Sequence, residues 1–289
     1  MRRLAALGKS PSARPWPGWG CAAAALLCAL TLLARPGRAL AFHDDEQRVI
    51  IDTAYTLRED EWRLGLWRVD YGFWDDFYVG THTVPWIVAM ANLHAKYRFL
   101  SDDRIDLAAG VGLYWLDLKR TRYLADALKK TDSDARFVIL PAEIAGTYRF
   151  DEGLSLTVAP VFTAVALTGT YNADEFEGAG AVTNLQLTAT LEQRVSRVVA
   201  LLAHARFLAY QYVKAAGELQ LDDYTTAELH AGADIDVQNA WSITLCSVFS
   251  WQTFNLRVGI GYGHYNIPAV NFVIPIRIPY PELDLYWRF

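Results

Sequence analysis

Six histidines, His43, His82, His94, His204, His230 and His264, are the side chains of this 289-residue chain best suited to acid–base work near neutral pH. A hydrolase would need one of them beside a serine, with a carboxylate or amide orienting the ring. No short motif supplies that pairing. His230 and Asp234 share a face of one period-two segment and come nearest to an acid–base pair, with Asp236 following, but these three lack a metal-ligand signature. The glycines of "VGIGYGHY" (258–265) alternate as strand residues do, without the GxGxxG spacing and following helix of a dinucleotide site. The expectation is therefore no catalytic residue, no metal and no cofactor.

What does recur is charge at alternate positions. His94, Lys96 and Arg98 form a basic line on one segment, and Arg149, Arg194, His204 and Arg206 continue it on others. Glu143, Glu192, Glu228, His230, Asp234 and Asp236 supply acids and a further imidazole. Such a set can line a water-filled pore that sorts solutes by charge. It can equally form a salt-bridged interior that holds a medium-sized barrel in shape, since barrels near eight strands are filled and only those of about 16 to 18 leave a wide channel.

The elements that would carry these residues are strands. In 91–99, Ala91, Leu93, Ala95, Tyr97 and Phe99 share one face and Asn92, His94, Lys96 and Arg98 the other. The same alternation runs through 104–117, 184–194, 224–238 and 241–251. Several of these segments run 11 to 15 residues, where soluble strands centre on about 5 or 6 and a tilted membrane-spanning strand needs about 9 to 11. A soluble core could not bury the charged face unpaired. Lipid outside and a polar lumen inside satisfy both faces.

Fourteen such segments are readable, near 49–57, 61–73, 77–87, 91–99, 104–118, 136–150, 154–168, 181–195, 198–213, 224–238, 241–251, 255–265, 270–278 and 282–289. Pro268 and Pro275 interrupt the pair 255–265 and 270–278, and if that pair is an external excursion the number falls to twelve. The fold class expected is all-β, an antiparallel up-and-down transmembrane barrel of about 12 strands, with 14 possible.

Three hairpins share one grammar: "YGFWDD" (71–76), "YRFLSDD" (97–103) and "YRFDEG" (148–153) each place two aromatics at a strand end before an acidic turn. Longer polar connections, 119–135, 171–180 and 214–223, alternate with them. Short periplasmic turns, long external loops and aromatic girdles are features of outer-membrane barrels. In the loop 119–135, Lys119, Arg120, Arg122, Lys129 and Lys130 form either a lipopolysaccharide-binding cluster or a solvated loop.

The chain ends "LDLYWRF", with Leu283, Leu285, Trp287 and Phe289 at alternate positions. This resembles the C-terminal assembly signal of bacterial outer-membrane β-barrel proteins, which usually ends on Phe. The resemblance covers about ten residues, with Pro279 and Pro281 standing where such signals often carry a glycine. It implies an outer-membrane location, a last strand descending to the periplasm, and the barrel-assembly machinery, outer-membrane lipid and lipopolysaccharide as partners.

The N-terminus agrees. Arg2, Arg3, Lys9 and Arg14 precede the apolar run "CAAAALLCALTLLA" (21–34) and Ala39-Leu40-Ala41, the pattern of a secretory signal peptide over 1–41 cleaved before Phe42. Domain 42–289 would then be the barrel. Loss of six basic residues leaves 21 of the 27 against 32 acids, a net charge of −11, which argues against nucleic acid as a partner. Cys246 remains as a lone cysteine. The leading functional expectation is a porin-like channel for small hydrophilic solutes rather than an enzyme. The alternatives are a closed structural or adhesive barrel acting through its loops and, behind both, an outer-membrane hydrolase.

Overall fold

Where the period-two pattern runs unbroken, the chain forms strands that pair with their sequence neighbours. The structure, a computed structural model, describes residues 48–87, 89–117, 134–150, 153–171, 176–222, 225–233, 240–251, 253–267 and 272–289. The expected signal peptide 1–41, His43, the basic cluster within 119–130, Asp234 and Asp236 lie outside these residues.

The elements are β1 Trp62–Gly65, β2 Arg68–Trp74, β3 Phe77–His82, α1 Thr83–Ile87, β4 Ala91–Ser101, β5 Ile105–Asp117, β6 Asp134–Arg149 and β7 Leu154–Tyr171. They continue with β8 Phe176–Arg194, β9 Val199–Asp222, β10 Thr225–Ala233, β11 Trp241–Trp251, β12 Phe254–Ile267 and β13 Phe272–Arg288. All pairings are antiparallel. β10 pairs with residues 213–222 of β9 and β11 with residues 199–207, so those two strands share one place in the wall. The described strands thus fill twelve places, and β1 pairing with β13 closes the barrel.

Twelve is reached by a different route from the one the periodicity suggests. Residues 49–57 are not a strand but an irregular segment with turns. Residues 61–73 make a hairpin, β1 and β2, that reverses at Leu66-Trp67, because Leu66 N–H and the Trp67 indole are both used on β13. Residues 272–278 and 282–289 belong to one strand, β13, so 255–267 and 272–278 are wall and not an external excursion.

Apolar side chains face outward. Leu93, Val111, Ile144, Val158 and Ile260 are each 48 to 63 % exposed, while their neighbours along the strands point inward. Exposing a large aliphatic side chain to water forgoes about 1.5–3 kcal/mol, so an encircling band of them is stable only against lipid. At one end of the barrel Phe73, Trp74, Tyr97, Phe99, Phe150 and Phe289 are half-exposed, with Tyr71 on Phe73 and Tyr148 on Phe150 at 4.9 Å edge to face. This is the girdle expected from the three hairpins and the C-terminus, and the short turns at Asp75-Asp76 and Asp102–Arg104 lie beside it. By the rule for outer-membrane barrels this end is periplasmic.

Wall height is uneven. β7, β8 and β9 run 18, 19 and 24 residues, whereas β1, β2 and β3 run 4, 7 and 6.

Candidate functional site

The lumen is filled at its periplasmic half by the segment 48–60. It starts near the girdle, where Arg288 donates to the Arg48 carbonyl at 3.0 Å, rises to an apex at Ile51-Asp52, and returns to Asp75, whose backbone carbonyl accepts from Thr56 at 2.7 Å. Asp52 turns the apex with φ 60, a left-handed conformation that Asp tolerates better than most residues. Thr53 Oγ1 closes the turn on the Val49 carbonyl at 2.6 Å.

Both faces of this segment meet the wall. Val49 packs with Ala200, Leu202, Cys246 and Val248, and Ile50 and Leu57 pack with Tyr78. Lys96 on β4 donates to the Thr53 carbonyl at 2.5 Å, and Thr147 on β6 accepts from Ala54 N–H at 2.9 Å. Arg257 on β12 approaches Asp52 at 3.4 Å and Arg206 on β9 at 4.0 Å. Gly72 permits the exit: a Cβ there would lie 1.8 Å from the Arg58 carbonyl oxygen.

Above the apex is a cavity of about 300 Å³, floored by Ile50, Ile51 and Asp52. Below the segment a second opening, of about 820 Å³, is lined by Arg48, Tyr55, Arg98, Asp102, Arg149 and Arg288 and faces the girdle end.

Among the described side chains, the charges selected from the sequence point inward, and nearly all are paired. His94 Nε2 meets Asp70 Oδ1 at 2.7 Å. Lys96 pairs with Glu143 at 3.0 Å. Arg98 holds Asp76 at 2.7 Å, and Arg149 holds Asp106 at 3.2 Å. Glu192 pairs with Arg194 on its own strand at 3.2 Å, and His204 Nδ1 bonds Thr190 Oγ1 at 2.7 Å. Glu228 and His230 are on β10, where only the backbone is described.

Sequence reasoning missed the densest cluster. Arg63, 1 % exposed, donates to Asp70 at 3.1 Å and to Asp284 at 2.6 Å, and Arg68 reaches the same Asp70 at 2.7 Å. His82 joins it through its ring, 4.7 Å from that of His94, and through Tyr114 at 2.8 Å. The signal was present in Arg63, Asp70 and Asp284 as polar residues at inward parity, but only the closed seam shows that they converge. Among the described residues, no serine or cysteine hydrogen-bonds His82, His94 or His204, and no three metal-ligating side chains gather. The described lumen side chains offer charge pairing and hydrogen bonding.

No protein-family model matches the sequence. No curated protein matches it either. Among solved structures, the translocator domain of autotransporter NalP from Neisseria meningitidis is similar at a TM-score of 0.42 and 11% identity, over 93% of this chain and 95% of that one. The Pseudomonas putida toluene transporter TodX is similar at 0.34 and 10%, over 81% and 79%. OmpT, an outer membrane protein of Vibrio cholerae, is similar at 0.31 and 13%, over 77% and 63%. Likenesses of this size leave the assignment to the barrel's own geometry. A closed antiparallel wall, an encircling lipid-facing belt, a terminal girdle and a polar lumen make the chain an integral β-barrel protein of the bacterial outer membrane.

Proposed function

We propose that the protein is a plugged passage for small hydrophilic solutes, closed at rest by residues 48–57. The observation that carries this reading is that the polar cavity above and the polar opening below are separated by a segment that is no part of the wall. On this reading the porin-like lumen is one that its own chain shuts at rest. Hydrogen bonds from Arg288, Lys96 and Arg257, at about 1.5–3 kcal/mol for charged groups, neutral ones at Ala54 and Thr56 at about 0.5–1.5 kcal/mol, and the buried side chains of Val49, Ile50 and Leu57 hold the plug. A segment held by several kcal/mol leaves only rare spontaneous openings. Transport down a gradient then needs no cofactor, only displacement of the plug.

The test is conductance in a planar bilayer. The wild-type barrel should be silent or open briefly and rarely, and a variant lacking residues 42–57 should give long, stable steps. If both are silent while both show heat-modifiable gel mobility, the closed structural barrel is the right reading.

A further inference from the structure

Above the short strands that close the barrel, the described residues leave one edge of β13 unpaired, and the sequence of β13 keeps this gap open. β13 pairs with β1 only over Gly65↔Tyr286, Leu64↔Trp287 and Arg63↔Arg288, with Phe289 extending the ladder onto Trp62. Just above them Leu66 N–H donates to the Leu285 carbonyl at 2.8 Å, and the Trp67 indole donates to the Leu283 carbonyl. Higher still, β13 continues for many residues on β12, and among the described residues no strand lies along its other edge.

Since Leu285 and Leu283 direct their backbone groups to that edge, Pro281 and Pro279 do so too, by the period of two. Neither has an N–H to offer. Their register with Ile260 and Tyr262 on β12 is otherwise regular. Proline at alternate positions is a device for keeping a strand edge unpaired. An added strand, from a second copy or another protein, would find those donors missing.

The gap lies within the apolar belt. Leu283 is 44 % exposed beside it, and Leu66, Trp86 and Ile87 on the hairpin tip and α1 form an exposed apolar lip at 49, 53 and 82 %. On the neighbouring strands β11 and β12, Trp241 and Tyr262 lie 6.1 Å apart, with Arg277 of β13 over the Trp241 ring. Behind it is the cavity, whose near side is Trp67, Tyr280 and Asp284. Inside, His94 Nδ1 and His204 Nε2 are buried without a hydrogen-bond partner among the described residues, and His204 is only 4 % exposed. Buried polar atoms left unpaired are costly, and a guest that fills them is stabilised accordingly. Cavity charges are otherwise matched, as Lys96 with Glu143 and Arg257 with Glu282. The guest's head should therefore be a compact hydrogen-bonding group.

We infer that the gap is a lateral portal through which a membrane-resident amphipath enters, a single acyl chain passing over Trp67 and Tyr280 and a carboxyl or hydroxyl head reaching the two imidazoles. A volume of about 300 Å³ suits such a guest. The portal goes beyond the plugged passage, because it operates whether or not residues 48–57 ever move.

The experiment uses the whole folded barrel in phospholipid vesicles containing a 16-carbon fatty acid with a diazirine in the part of its chain next to the carboxyl. After illumination, labelled residues are located by mass spectrometry. The expected result is labelling of inward Tyr280 and Tyr114 flanking the portal, at least five times that of inward Asn184 and Gln186 on β8. Labelling confined to outward residues such as Leu283 and Ile260 overturns the portal. So does even labelling around the lumen, which means entry by the mouth. Trp67→Ala should raise Tyr280 labelling at least twofold, and an unchanged yield also counts against lateral entry. The labelling is read on the plugged wild-type barrel, whose cavity floor at Ile50–Asp52 is in place, so it stands or falls independently of the conductance of the variant lacking residues 42–57.

Discussion

The carboxylate of Asp52, at the apex of the lumen-filling segment, lies 3.4 Å from the Arg257 guanidinium on the wall, 205 residues away in the chain. Arg257 is held independently by Glu282 at 2.5 Å, so removing Asp52's charge should loosen the plug without stranding the arginine. A hydrogen bond to a charged group contributes about 1.5 kcal/mol at the low end. Asp52→Ala should therefore raise the open fraction in single-channel recordings roughly tenfold, with unchanged heat-modifiable mobility. An open fraction equal to wild type would show that the apex is not a latch.

The same contact fixes a pH response. Burial disfavours the charged form of Asp52, but the fields of His204, Arg257, Arg206 and Lys96 outweigh it and hold the carboxyl well below the usual carboxylate range. A depressed value in the docked state means that its contribution to docking is full above the ordinary carboxylate pKa of about 3.9 and is lost only as pH falls through the lower docked value. Conductance attributable to plug release should be flat from pH 8 to pH 5 and increase only in strong acid. A rise centred near pH 6.5 would assign the latch to a histidine instead.

Much of the wall could be read from period two alone, because lipid and lumen each demand one parity, and residues such as Leu93 and Lys96 satisfy them alternately along a strand. The girdle was legible for the same reason. Residues 49–57 were not: Val49, Ile51, Tyr55 and Leu57 fall at alternate positions much as strand residues do, and what keeps them off the wall is contact with Lys96, Thr147 and Arg257, all distant in sequence. The hairpin at Leu66-Trp67 was hidden likewise, since its reversal depends on carbonyls of β13. Pro279 and Pro281 looked like interruptions and instead identify a free edge. Of the site, Lys96, Glu143 and His94 were visible singly, whereas the meeting of Arg63, Asp70 and Asp284 required knowing that β1 abuts β13.

That meeting predicts where the barrel is most easily broken. Arg63 joins β2 to β13 through Asp70 and Asp284 and stacks 4.3 Å from the Tyr286 ring. Removing one partner from a buried ionic cluster costs about 3–5 kcal/mol, because the carboxylates left behind are uncompensated. Arg63→Met should lower the urea midpoint of the detergent-folded barrel substantially, while Arg136→Met, at an exposed guanidinium that reaches Asp117 only at 3.8 Å, should change it far less. Equal midpoints for both variants would mean that the cluster contributes no net stability to the seam.

The C-terminal phenylalanine separates assembly from stability. Phe289 exchanges backbone hydrogen bonds with Trp62 at 2.8 and 3.1 Å, so its main chain takes part in closing the barrel, while its ring is 60 % exposed at the girdle. Replacing the ring keeps both backbone bonds. Phe289→Ala refolded in detergent should unfold within about 1 kcal/mol of wild type, as surface substitutions usually do. In cells, if the assembly machinery reads the terminal ring as the resemblance of "LDLYWRF" implies, the same variant should reach the outer-membrane fraction at a several-fold lower level. Deleting Phe289 removes the backbone pairing as well and should reduce both quantities. A loss of stability in Phe289→Ala matching the loss of assembled protein would make the ring a structural element of the girdle, and normal levels in cells would remove it from the assembly signal.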